Sequence, residues 1–185
     1  MNTKNNQRFR AMDVRLKATM LHLLQETPFE SITVTKVCQV AGVNRSTFYA
    51  HYTDLFDMLG QIETRLRQEL SETLAEMDIL SKASLTLFLR HVRQHHFFYQ
   101  AVLRHHPESV RFLDADTMYQ HVILPYCRRK GVTGAAEAGY LLTFFQAGFT
   151  MVLRQWVESG CLEGEEEMTA LFPYAPEALA NTQKI

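Results

Sequence analysis

With 185 residues, 46% of them hydrophobic and 21% charged, the chain has the apolar content of a globular protein with a sizeable core. No apolar run reaches the length of a membrane span, and MNTKNNQRFR carries positive charge without the apolar stretch of a secretion signal, so no membrane partner is expected and the cytoplasm is the expected compartment. Net charge is −1, yet residues 1 to 53 hold seven Lys or Arg against three acids and the remainder twelve against seventeen; a basic head on an acidic body is what phosphate contact at one end requires.

Residues 1 to 10 are polar and unpatterned and read as an arm, with Arg8 and Arg10 free to reach a phosphate or minor groove. Leu16, Met20, Leu23 and Leu24 then form a helical stripe that ends at Pro28 and Phe29. From Ile32 the chain reads ITVTKVCQVAGVNRSTFYAHYTDLFDML. Val34, Val37, Cys38 and Ala41 share one helical face, Thr33 stands at the N-cap position, and Gly42 stands where a helix stops with positive φ. Asn44 caps a second short helix that buries Val43, Thr47 and Phe48 and turns Arg45, Ser46, Tyr49 and His51 outward. Two helices of under ten residues joined by Ala41-Gly42-Val43 make a helix-turn-helix, whose second helix presents its N-terminal side to a major groove.

Asp54 is the next N-cap, and Leu55, Leu59, Ile62, Leu66, Leu70, Leu74 and Met77 give a helix to about residue 77. Beyond it the pattern predicts helices at about 82 to 95, 97 to 105, 109 to 130, 135 to 159 and 165 to 172, with a kink at Pro125. No alternating strand pattern appears. The predicted class is all-α: an N-terminal three-helix bundle with a helix-turn-helix over residues 1–55, and a larger helical domain over 56–185 for effector binding and dimerisation. In the segment from Ala135 to Glu158 only Thr143, Gln146, Thr150, Arg154 and Glu158 form a polar stripe; a helix so apolar must be covered on most sides, which marks it and the following helix as the expected homodimer contact.

The head resembles the DNA-binding domain of the TetR/AcrR family of bacterial transcriptional regulators. Phe29, Thr33-Val34, Ala41-Gly42-Val43, Thr47-Phe48-Tyr49 and His51-Tyr52 carry the resemblance, over roughly Leu16 to Leu59. The family commonly has glycine where Pro28 stands and lysine where Leu55 stands, so this chain lacks one phosphate contact. The resemblance implies a regulator of transcription, a repressor by family precedent, released by a small-molecule effector from a pseudo-palindromic double-stranded operator. Arg45, Ser46 and Thr47 are the expected base-reading residues, since arginine gives paired donors to guanine and hydroxyls serve base edges or phosphates. Thr33, Lys36, Tyr49 and His51 flank them and are expected on phosphates, with Asn44 capping the reading helix.

In the body, Phe88, His91, Phe98, Tyr119, Phe145 and Phe149 are candidates to line an effector pocket, though aromatic residues are more often core. His91 and His95 lie four apart, the spacing of two metal ligands on a helix, but no third ligand follows at a matching interval. A metal-responsive sensor and a helical protein-interaction adaptor remain the alternative readings. No metal and no cofactor is expected. Cys38, Cys127 and Cys161 make no CxxC pair and are expected buried and reduced. Without a GxSxG, HExxH, glycine-rich phosphate loop or paired carboxylates, enzyme activity is not expected.

Overall fold

The computed structural model describes residues 3 to 172, and among them the regular elements are all helical, with no strand. This is the predicted all-α class. The chain divides into two compact units, Met1–Glu72 and Thr73–Ile185; the division expected at 55 and 56 falls inside the first.

The first unit opens with α1, Thr3–Glu26. Residues 3 to 10 are therefore helix, not the expected arm. Nothing in that stretch breaks a helix, and Phe9 gives its second turn a partner by stacking on the His51 ring, centroids 3.8 Å apart. Leu16, Met20, Leu23 and Leu24 are buried as their spacing predicts. Pro28 leads into a single 3-10 turn, Phe29–Ser31. Then come α2, Val34–Ala41, α3, Arg45–Tyr49, and α4, Leu55–Leu74. Asp54 does cap α4, accepting from Asp57 N at 2.8 Å. Asp57 in turn accepts from Thr53 N, and chiefly that bond holds its carboxyl below the usual range. Phe48, Tyr52, Met58, Leu59, Ile62 and Leu66 are also buried in this unit.

The second unit contains α5, Lys82–Gln94, and α6, His96–His105, close to their predicted spans. The predicted helix over 109 to 130 is instead interrupted. Pro107–Ser109 forms a 3-10 turn, and helix resumes only at α7, Ala115–Met118, where the Asp114 side chain accepts from Thr117 N. An aspartate that caps cannot also continue a helix through itself. A π-turn at Tyr119–Ile123 then runs into α8, Leu124–Lys130. That wide turn comes just before Pro125, where it takes up the missing N–H and the ring that would otherwise strike the preceding carbonyl. The helix is widened there.

α9, Ala135–Glu158, and α10, Glu165–Leu171, follow; α10 packs on α5 and α9 on α6. The corner between α9 and α10 is held by Arg93 of α5. Its guanidinium donates to Cys161 O at 2.6 Å and to Glu163 O at 2.5 Å, pairs with Glu165 at 2.9 Å, and lies 5.6 Å from the Trp156 ring centre. These bonds stabilise an unusual backbone, since Cys161 has φ 55° without being glycine. Burial pushes the Cys161 thiol up to about 11. All three cysteines are buried and unbridged.

Within the single chain α9 is covered along one side only. Phe149, Leu153, Trp156 and Val157 are buried, but Tyr140 is 75% exposed, Phe144 70% and Met151 55%. One apolar face of α9 stands open in the single chain.

Candidate nucleic-acid interface

The helix-turn-helix is built by local hydrogen bonds from α2 to α3. The Thr33 hydroxyl accepts from Lys36 N at 3.1 Å, which starts α2. Gly42 ends it at φ 64°, ψ 40°, and the chain turns back as Val43 N donates to Cys38 O at 2.9 Å. Asn44 Oδ1 then accepts from Thr47 N at 2.8 Å, from the Ser46 hydroxyl at 2.8 Å and from the Thr47 hydroxyl at 2.7 Å. One side-chain oxygen thus gathers the Thr47 amide and two hydroxyls at the start of a five-residue helix that has no stability of its own. Phe48 is fully buried and fixes the roll of α3.

That roll decides what faces out. Arg45, Ser46 and Tyr49 are exposed, with Asn44 beside them and Thr33 and Lys36 exposed on the neighbouring helix, while Thr47 is half-buried. The Arg45 guanidinium donates to the Tyr49 hydroxyl at 3.3 Å and lies 5.8 Å from the ring centre, so two residues one turn apart form one cationic, hydrogen-bonding edge. Such an edge can give donors to guanine or to phosphate.

His51 is the exception among the sequence-predicted residues. Its side chain is only 3% exposed, with Nδ1 4.0 Å from Asp13 Oδ1 and the ring stacked on Phe9. Burial lowers its pKa more than the Asp13 charge raises it. The ring is turned inward, where it supports the fold of the head and presents no donor to the surface. No residue near His51 signals this, because Phe9 and Asp13 lie a whole helix away.

In the second unit a cavity of about 330 Å³ is lined by Phe112, Leu113 and Met118 on one side and by Gln146, Phe149 and Met151 of α9 on another. Of the six aromatic and histidine candidates only Phe149 lines it. Phe88 stands behind the wall, 5.2 Å from Phe112 and 6.0 Å from Phe149 by ring centres. Phe98 is buried in the core. Tyr119 sits in the π-turn, Phe145 packs against Tyr126, and His91 against His95, ring centres 4.9 Å apart. The cavity forms where the chain leaves helix after Pro107, a break that helical periodicity did not predict. Among the described residues no group of three or more His, Cys, Asp or Glu gathers to hold a metal ion, and no helix is long and apolar enough to cross a membrane.

No family model and no curated protein matches the chain. Two solved structures resemble it along nearly their whole length. One is described as the dihydroxyacetone kinase operon activator DhaS, at TM-score 0.56 and 16% identity, covering 91% of this chain and 94% of that one. The other is described as the fatty acid degradation regulator FadR from Bacillus halodurans, at TM-score 0.59 and 14% identity, covering 93% and 96%. At such identities the likeness is one of fold: this chain has the all-helical fold of those two regulators.

Proposed function

We propose that this chain is a DNA-binding transcriptional regulator of the TetR type, acting as a homodimer on a pseudo-palindromic operator. The observation that carries the reading is the exposed Arg45–Tyr49 edge on a short helix whose start, stop and roll are fixed by Asn44, Gly42 and Phe48. A rigid scaffold under an exposed set of donors is what major-groove reading needs. Thr33, Lys36, Ser46 and Thr47 are the companion contacts, and His51 serves as a support behind them. The two fold relatives described as regulators favour the same class of function.

Pairing of two chains through the open face of α9 supplies the second head that two half-sites demand. A small molecule held in the second unit then biases DNA binding by its differential affinity for the bound and released states. Family precedent favours repression. The test is selection of duplexes from a random pool by the purified full chain, followed by affinity measurements over a salt series. A palindromic consensus bound with a steep inverse salt dependence is expected; a pool that never enriches, or binding indifferent to salt, overturns the reading.

A further inference from the structure

The cavity of the second unit and the open face of α9 share a rim. Tyr140, Phe144, Ala147 and Met151 follow one another at steps of four, three and four, which sets them along one side of the helix, and all of them are exposed. Ala147 and Met151 also line the cavity, as does exposed Thr143 beside them. The cavity, about 330 Å³ and open to solvent on one side, therefore has its mouth bordered by the apolar face, and whatever covers that face also covers the mouth. The stripe carries no charge, so the same surface of another copy can lie on it. Gly148 is an independent sign of a close neighbour there. Glycine weakens a helix interior, and an added Cβ at this exposed position meets nothing within 4 Å; no group of its own chain uses the room, whereas a second helix drawn close would.

The wall sets the class of occupant. Phe112, Leu113, Met118 and Phe149 make it apolar. Three of the polar groups beside it are engaged or shielded: the Thr143 hydroxyl donates to Gly139 O at 3.1 Å, Gln146 Nε2 is closed off from solvent, and Arg111 has an interaction of its own. A charged ligand would shed its hydration there without a partner for its charge. We infer that the cavity is a half-site: it takes a compact, uncharged, apolar molecule, and a second copy of the chain, seated on the open face of α9, closes it. This rests on the proposed pairing through α9 and adds the ligand's class and the place where it binds. A molecule whose apolar surface is covered by both chains binds the pair more tightly than the single chain, and it must then tighten the pair by the same factor.

The test is sedimentation of the full chain over a concentration series, alone and with propylbenzene, 3-phenylpropanoate or 2-phenylethylamine, three molecules of similar size and different charge. Propylbenzene is expected to lower the dimer dissociation constant about tenfold or more, and the two charged molecules to leave it unchanged. In calorimetric titration propylbenzene is expected to bind about tenfold more weakly to Phe144→Arg, a substitution outside the cavity lining, than to the unaltered chain. Thr150→Phe, which fills the cavity from α9, is expected to remove the effect of propylbenzene while pairing persists. The sedimentation series uses the unaltered chain alone, so it decides the matter even if Thr150→Phe fails to fold. Propylbenzene that does not bind, that binds the unaltered chain and Phe144→Arg equally, or that loosens the pair overturns the inference. So does an equal effect from either charged molecule, an undiminished effect in a folded Thr150→Phe protein, or a Phe144→Arg protein that still pairs. An unaltered chain that stays monomeric overturns the proposed pairing along with it. Duplex selection is carried out with no small molecule present, so a chain that selects an operator yet ignores propylbenzene loses this inference and keeps the regulator reading.

Discussion

The Tyr52 hydroxyl donates to Asp13 Oδ1 at 2.5 Å across thirty-nine residues of sequence, tying the exit of the helix-turn-helix to α1. Lys17 holds the other carboxylate oxygen at 2.9 Å, and burial followed by the Asp13 bond raises the Tyr52 pKa, so the phenol stays protonated. Tyr52→Phe keeps the ring and removes the donor. It is expected to cost about 1 to 3 kcal/mol, as for one buried bond to a charged group, read as a lower urea midpoint for the first unit. No change in midpoint would mean that water replaces the tyrosine at no cost.

Acid weakens this arrangement in two stages. Burial acts to raise the Asp13 pKa, but the bonds from Tyr52 and Lys17 and the charges of Lys17 and His51 outweigh it and leave it lowered. Its stabilising effect is therefore complete above the unfolded value of 3.8 and is lost as pH falls through the lower folded value. The His51 pKa is also lowered, by burial, from 6.5, so its contribution is complete above that value and fades earlier in the same descent. His51→Phe preserves a ring against Phe9 and is expected to flatten the fall of melting temperature between about pH 7 and 5. An unaltered slope would show that His51 does not titrate in that interval.

Two glycines of the first unit respond in opposite directions to alanine. Gly42 lies at φ 64°, and an added Cβ also meets the Arg15 guanidinium at 3.0 Å; the arginine can swing aside, but the backbone cannot. Gly42→Ala is expected to cost about 1 to 2 kcal/mol, and Gly42→Val more. Gly60 lies within α4, and a Cβ there meets nothing within 4 Å, so Gly60→Ala is expected to gain about 0.5 to 1 kcal/mol. Thermal melts of both variants check the pair.

Arg45→Ala is expected to leave the melting temperature unchanged, because the side chain is exposed and its bond to Tyr49 lies at the surface. On selected duplexes it should cost about 1 to 3 kcal/mol and relax preference at one base position. A uniform loss on every sequence, with a smaller salt slope, would assign Arg45 to phosphate.

Phe144→Arg places a charge on the open apolar face of α9 without touching the cavity lining or the core. Sedimentation is expected to give a dimer for the unaltered chain and a monomer for the variant, with DNA affinity falling in parallel. A dimer that survives the substitution locates the pairing surface elsewhere.

What was legible in the sequence was what local chemistry encodes. Thr33, Gly42 and Asn44 announce caps and a stop through their own side chains, or the lack of one, and the structure uses each as expected. The inward turn of His51 depends on Phe9 and Asp13, contributed by α1, and no spacing within the helix-turn-helix reports it. Polarity alone does not distinguish an arm from a solvated helix, and residues 3 to 10, which contain neither proline nor glycine, form the latter. The cavity was the least legible feature. In a helix as apolar as α9 periodicity does not say which side is covered, and the other wall is built by the non-helical stretch after Pro107.

The chain's single tryptophan is Trp156, with its indole N–H donating to Glu163 O at 3.1 Å and Arg93 beside the ring. An indole held dry between a cation and a carbonyl emits at a wavelength set by those neighbours, and water admitted to the corner shifts that emission to the red. The protein thus carries a built-in optical gauge of the α9–α10 corner, readable without a label at excitation that spares tyrosine, since the first unit contains no tryptophan.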